Sequence, residues 1–218
     1  MIKKENNFIM NFITIKEIVQ TEIVQKKSKF IANLFPVESV EEAEGFIKEI
    51  KKKYHDARHN CMAYRIVDDN QIIEKSSDDG EPSGTAGAPM LAILQKNNLT
   101  NVLIIVTRYF GGILLGTGGL VRAYSDSLLK AIEESDKIEK CQGIEMQVTI
   151  EYNEFERFKY YCKNNHILIT NVEYSELIRC KIELEADKKE KLWKDFETKT
   201  IILKNIREIT KKYITKSI

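Results

Sequence analysis

The chain has 218 residues, of which 43% are hydrophobic and 31% charged, and its formal net charge is +1. That composition is enough for folded cores and excludes a disordered chain. Residues 1–140 carry 19 Lys+Arg against 20 Asp+Glu, and the remainder 15 against 13. Neither part therefore has the broad positive surface of a non-specific DNA coat.

In chain order, residues 14–37 read as two extended segments joined by the polar run 25–29. Phe30, Ala32 and Leu34 alternate with Ile31, Asn33 and Phe35, so both faces of the second segment are expected to be covered. A helix follows, with Ser39 as its cap and Glu42 completing a capping box. Val40, Ala43, Phe46, Ile47, Ile50 and Tyr54 share one face at helical spacing. Glutamates at its start and Lys51, Lys52 and Lys53 at its end match the helix dipole. Strands are expected at 59–67 and 71–76, turning at Asp68-Asp69-Asn70. Residues 78–89 form a loop, and a helix then carries Met90, Leu91, Ile93 and Leu94. The apolar run 102–106 reads as a strand buried on both faces. A second glycine-rich segment, 111–119, opens a helix bearing Val121, Tyr124, Leu128 and Ile132.

A second domain is expected from about Gly143. Ile144, Met146, Val148 and Ile150 alternate with polar residues as a strand, and Asn153 caps a helix with Phe155, Phe158 and Cys162. Strands near 167–174 and 178–184 follow, then a helix opened by Asp187, then a strand at 200–206. The order is β-α-β-β-α-β, the ferredoxin-like split unit. The tail, with Lys204, Arg207, Lys211, Lys212 and Lys216, reads as a solvated basic end with the capacity to touch a nucleic-acid backbone. The cysteines Cys61, Cys141, Cys162 and Cys180 form no C-x-x-C pair, which argues against zinc ribbons and thioredoxin-type sites. Scattered thiols, with no signal peptide and no apolar run of membrane length, point to the cytoplasm and away from a membrane partner.

Chemistry concentrates between Asp78 and Gly119, where eight of the ten glycines lie. Gly116-Thr117-Gly118-Gly119 runs into a helix whose free N–H groups favour an anion. Arg108, Arg122, Thr85 and Thr117 are interspersed, so a phosphate-bearing partner stands beside the plainer reading of tight turns and packing. The P-loop spacing from Gly111 to Gly116 has Thr117 where lysine is required, and Val121 occupies the third glycine position of a dinucleotide fingerprint. Asp78, Asp79 and Glu81 are candidates for Mg²⁺ ligation or a general base. The competing reading is a turn whose carboxylates accept backbone hydrogen bonds or pair with Arg108 or Arg122. His59 reads as a pocket or hydrogen-bonding residue, with no metal assigned.

Three runs resemble one family: 57–63 (Ala57-Arg58-His59-Asn60-Cys61-Met62-Ala63), 77–87 from Ser77-Asp78-Asp79-Gly80 to Gly87, and 108–124 from Arg108-Tyr109-Phe110-Gly111-Gly112 to Tyr124. They are similar to the IMPACT family in its bacterial, YigZ-type branch, and Lys27-Ser28-Lys29-Phe30-Ile31 fits its start. One departure is Tyr54-His55, where relatives often carry His-Pro, so no role passes to His55. The resemblance implies an α+β chain: domain 1–140 with the fold of the second domain of ribosomal protein S5, and domain 141–218 ferredoxin-like, similar to the last domain of elongation factor G. The eukaryotic family member regulates translation through an additional N-terminal domain, so its partner is not carried over.

The expected function is a non-enzymatic, translation-linked module binding RNA, the ribosome or another phosphate-bearing partner. Its expected ligand-binding residues are His59, Asp79, Gly80, Glu81, Gly84, Thr85, Gly87, Arg108, Tyr109, Gly111, Gly112, Gly116, Thr117, Gly118, Gly119 and Arg122, with no cofactor. The alternative is an enzyme for a small phosphorylated or acidic substrate, using Asp78, Asp79 and Glu81 with Mg²⁺.

Overall fold

The computed structural model describes residues 11–68 and 71–216, so two of the residues expected to turn between the 59–67 and 71–76 strands lie outside it. The chain is mixed α+β and divides into two compact units between Ile138 and Glu139.

The first unit opens with β1 (Asn11–Ile15), β2 (Val19–Gln25) and β3 (Ser28–Pro36), three strands rather than two. Only Lys26 and Lys27 separate β2 from β3, and both have positive φ, +44° and +64°. That backbone matches the right-handed twist of a two-residue hairpin. Helix α1 (Val40–Lys53) follows; the Ser39 hydroxyl accepts the Glu42 N–H at 3.1 Å. The Glu42 carboxylate reaches back one residue further than a capping box requires, to the Glu38 N–H at 2.7 Å. Strands β4 (His59–Asp68) and β5 (Gln71–Ser77), helix α2 (Gly87–Lys96), strand β6 (Val102–Tyr109) and helix α3 (Thr117–Glu133) complete the unit. Both helices start earlier than expected and take the last glycines of each loop into their first turns.

The sheet order is β2-β3-β6-β4-β5, antiparallel throughout. Its two faces are both covered. Phe30, Ala32, Leu34, Ile104 and Val106 pack against Met90 and Leu94 of α2 and Tyr124 and Leu128 of α3. Phe35, Met62, Tyr64, Leu103 and Ile105 pack against Ala43, Ile47 and Ile50 of α1. Burial of β6 on both faces thus arises in an antiparallel sheet between two helical layers.

The second unit runs β7 (Lys137–Ile150), α4 (Tyr152–Asn164), β8 (Leu168–Tyr174), β9 (Ile178–Glu185), a 3-10 turn (Ala186–Lys188), α5 (Lys189–Glu197) and β10 (Asn205–Thr215). Its strands lie side by side as β8-β9-β7-β10, all antiparallel. Ile144, Met146, Val148 and Ile150 pack with Phe155, Phe158 and Leu192. Asn153 lies within α4; Glu151 is its N-cap and makes no side-chain cap bond.

The largest correction concerns the basic tail, which is strand β10 and not an unstructured end, although Lys204, Arg207 and Lys211 are exposed as expected. Four of its five cations, Lys204, Arg207, Lys212 and Lys216, are engaged with the unit's own acids and amides, while Lys211 is exposed. Lys212 meets Glu145 at 2.8 Å and Glu183 at 2.6 Å, Lys216 meets Glu139 at 3.0 Å, and Arg207 donates to Gln147. All four cysteines are free and buried, and burial pushes the Cys61 thiol up to about 12 and Cys180 to about 11. Among the described residues no helix is long and apolar enough to cross a membrane.

Candidate functional site

Antiparallel pairing brings the starts of β3 and β4 and the ends of β5 and β6 to one end of the first sheet. His59 lies opposite Arg108, and Lys29 opposite Tyr109. Both glycine-rich loops leave the sheet at this end, 78–86 after β5 and 110–116 after β6.

The three carboxylates of the first loop do not converge on a common point. Asp78 Oδ1 accepts the N–H groups of Ala86 (2.9 Å) and Gly87 (2.8 Å), and Oδ2 accepts that of Gly84 (2.8 Å). It therefore caps the first turn of α2, where Ala86 offers no side chain to do so. Burial works against its ionisation, but the three N–H groups together outweigh it and hold the carboxyl below its ordinary value. Asp79 Oδ1 pairs with Lys51 at 2.7 Å, and Oδ2 accepts the Asn60 N–H at 2.8 Å. The Asp79 carbonyl lies 3.0 Å from His59 Nδ1, a contact that places the proton on Nδ1. Glu81 Oε1 accepts Arg108 Nη1 at 2.6 Å and the Tyr124 hydroxyl at 2.9 Å.

These contacts correct the roles expected for several residues. Arg108 is no exposed phosphate ligand: its side chain is 7% exposed and that of Glu81 3%. Its guanidinium lies between two rings, 5.5 Å from the Phe30 centroid and 5.7 Å from that of Phe110. Thr85 is buried, with its hydroxyl on the Pro82 carbonyl at 2.6 Å. The Tyr109 hydroxyl donates to Asp56 at 2.7 Å, which pushes the phenol up to about 12. Asp78 and Asp79 have both oxygens in contacts within the protein, and Glu81 is buried in its ion pair with Arg108. Among the described residues no group of three His, Cys, Asp or Glu is arranged for a metal.

The second loop stays open. Gly112, Gly116, Thr117, Gly118 and Arg122 are exposed. Gly116 adopts φ +73° at the N-cap of α3, a conformation a Cβ would strain. The first helical bond is Leu120 N–H to the Gly116 carbonyl at 2.9 Å. The N–H groups of Thr117, Gly118 and Gly119 have no acceptor among the described residues, and Arg122 has no ion pair there. Arg122 follows Gly118 by one helical turn, so the two share a face. Gly80 and Gly84 have positive φ, whereas Gly87 packs its α-carbon against the Ser77 backbone.

Reading the sequence for functional residues missed Asn60 and Lys51, which fix Asp79, and Phe110, which is 54% exposed beside Arg108. The available signal for Phe110 was an aromatic standing just past a strand end.

One consequence is pH-dependent. The unfolded Asp78 carboxyl titrates near its ordinary 3.8 and the folded one lower, so between the two values the unfolded chain binds more protons. Asp78 thus stabilises the fold above about 3.8, and that stability is lost as pH falls through the folded value. Urea melts from pH 6 to 2.5 are expected to show Asp78→Asn losing about 1–2 kcal/mol at pH 6. The gap to wild type should close in acid; a constant gap would contradict this.

Comparison with known proteins matches both units. The Impact N-terminal domain model matches residues 26–132, and a domain of unknown function (DUF1949) matches residues 148–197. The chain is 39% identical over 175 residues to the IMPACT family member YvyE of Bacillus subtilis (strain 168), spanning 80% of each protein. It is 37% identical over 165 residues to the IMPACT family member YigZ of Escherichia coli (strain K12), covering 75% of this chain and 80% of that protein. A solved structure of a hypothetical protein superposes with a TM-score of 0.63 at 31% identity, over 93% of this chain and 99% of that one. With the glycine loops, the flanking strands and both units matched, this chain belongs to the IMPACT family, YigZ type.

Proposed function

We propose that the protein is a non-enzymatic regulatory module linked to translation, which binds RNA or the ribosome through phosphate contacts at the start of α3. The observation that carries this is the open second loop: among the described residues, three N–H groups without acceptors and Arg122 without an ion pair stand with the Thr117 hydroxyl at one exposed helix end. Such an end attracts phosphate through its N–H groups and dipole. Engagement of Asp78, Asp79 and Glu81 with the protein's own groups favours this over the enzyme reading. Family membership supports the link to translation, and we place the protein in the cytoplasm.

The same reading takes the first unit as similar to the second domain of ribosomal protein S5. It takes the second as ferredoxin-like, similar to the last domain of elongation factor G, with domains 1–140 and 141–218. The β-α-β-β-α-β order with strands arranged β10-β7-β9-β8 supports the second assignment. The test is binding of wild type and Arg122→Ala to short RNAs and to ribosomes at low salt. Wild type is expected to bind and Arg122→Ala to bind more weakly across all sequences. Equal binding by both would remove the site.

A further inference from the structure

Phe110 is the first residue after β6, and its ring is 54% exposed. Here one face is already taken, because the Arg108 guanidinium lies over the ring at 5.7 Å from its centroid. Arg108 is in turn fixed from behind by Phe30 at 5.5 Å and from the side by Glu81 at 2.6 Å. Phe30 is fully buried and packs edge-on against Tyr124, centroids 5.2 Å apart. The result is one buried cation in contact with two rings, of which Phe30 is rooted in the core and Phe110 is about half exposed.

The neighbouring segments supply cations and apolar side chains, with Asp56 held by the Tyr109 hydroxyl and Asp126 by Gln25. Gly111 sits against the Lys26–Lys27 turn, its N–H on Ser28 Oγ at 3.1 Å. Lys26 and Lys27 are exposed and form no ion pair among the described residues. Ile113 (42% exposed) and Leu114 (82% exposed) extend the apolar surface towards the start of α3. No acidic residue lies between Arg108 and Asp126 in the sequence.

We infer that Phe110 is a base-stacking platform and that the RNA this site takes is single-stranded. The inference rests on the phosphate-binding reading above and names its partner. A flat, rigid aromatic face suits any base, because every base has a π-face. A duplex keeps its bases stacked inside and offers this surface only phosphates and sugars, whereas a single strand presents both a base for Phe110 and phosphates for Lys26, Lys27 and Arg122. The buried ion pair with Glu81 assigns Arg108 a positioning role: it holds the ring from behind and touches no RNA.

The experiment is fluorescence anisotropy on the full chain with a labelled 12-nucleotide RNA, alone and annealed to its complement. Wild type, Phe110→Leu and Arg122→Ala are compared, each checked by thermal melting. Phe110→Leu keeps the site apolar and removes only the π-face. The single strand is expected to bind wild type more tightly than the duplex. Phe110→Leu should weaken single-strand binding about tenfold and leave duplex binding unchanged. Arg122→Ala should weaken both. Equal affinity for strand and duplex, or no effect of Phe110→Leu, would overturn the inference and leave the phosphate site standing. Failure of wild type to bind either RNA at low salt would remove the underlying reading, and the inference with it. Capture of an alternating Glu-Leu peptide in place of RNA, lost in Phe110→Leu, would overturn it by assigning the patch to a protein partner.

Discussion

Gly111→Ala is expected to destabilise the first unit by about 3 kcal/mol or more, near the top of what one methyl group does. A Cβ at this position would sit 2.0 Å from the Lys27 carbonyl carbon, 2.1 Å from its oxygen and 2.4 Å from the Ser28 nitrogen. All three are backbone atoms of the turn joining β2 to β3, so no side chain can swing away. Relief requires prising the second loop off the hairpin, which also breaks the hydrogen bond from the Gly111 N–H to Ser28 Oγ. Gly118 is the contrast: it has nothing within 4 Å, and Gly118→Ala is expected to change stability by less than about 1 kcal/mol. Urea denaturation of the two variants separates glycines that pack the fold from those that leave room for a ligand. Equal losses at both positions would contradict that division.

Arg108→Ala is expected to cost about 3–5 kcal/mol, because it leaves the Glu81 carboxylate in a buried site without its cation. The loss extends beyond the charge. Arg108 also carries the contacts to the Phe30 and Phe110 rings, and Tyr124 shares the same carboxylate oxygen. Glu81→Gln alone leaves the guanidinium unpaired and is expected to cost a similar amount. The double variant Arg108→Met with Glu81→Gln should recover part of it, since a buried ion pair stabilises little relative to well-packed neutral groups. Denaturation of Arg108→Met, Glu81→Gln and the double variant would therefore show coupling of at least about 1 kcal/mol. Additive losses, or a mild Arg108→Ala, would mean that the pair is open to water and that Arg108 is free to bind phosphate after all.

Arg108 also marks where sequence reading fell short. Its place among the glycines put it with the phosphate ligands, although a pairing with the loop carboxylates stood beside that reading. Its phase on β6 says otherwise: Ile104, Val106 and Arg108 point to one face, and the first two are in the core against α2 and α3. The acid that makes this tolerable, Glu81, is 27 residues away and reaches it only through tertiary pairing. The basic tail misled for a related reason. Lysines mask the alternation of β10, and a bulge between Glu208 and Thr210 breaks it further. The join between β2 and β3 was legible as the polar run 25–29, but its two-residue form was not, because two lysines occupy positions where Asn-Gly is the usual signal. By contrast α1, β6 and the β-α-β-β-α-β order were legible, since a cap, an unbroken apolar run and regular alternation each depend on neighbours in sequence. The exposed place of Gly116, Thr117, Gly118 and Arg122 at the start of α3 was legible from spacing. The plainer reading of the carboxylates, as groups that accept backbone N–H bonds or pair with Arg108, was legible too; which acid takes which partner, and the part of Lys51, was not, because partners distant in sequence decide it.

The central claim is that the open start of α3 binds RNA phosphate, and the salt dependence of that binding tests it most directly. Affinity for a 12-nucleotide single strand would be measured from 50 to 300 mM salt for wild type and Arg122→Ala. The wild-type logarithm of affinity is expected to fall linearly with the logarithm of salt concentration, and Arg122→Ala to reduce the slope by about 0.7, the loss of one phosphate contact. A wild-type affinity indifferent to salt, or a slope that Arg122→Ala leaves unchanged, would contradict a phosphate site at this helix end.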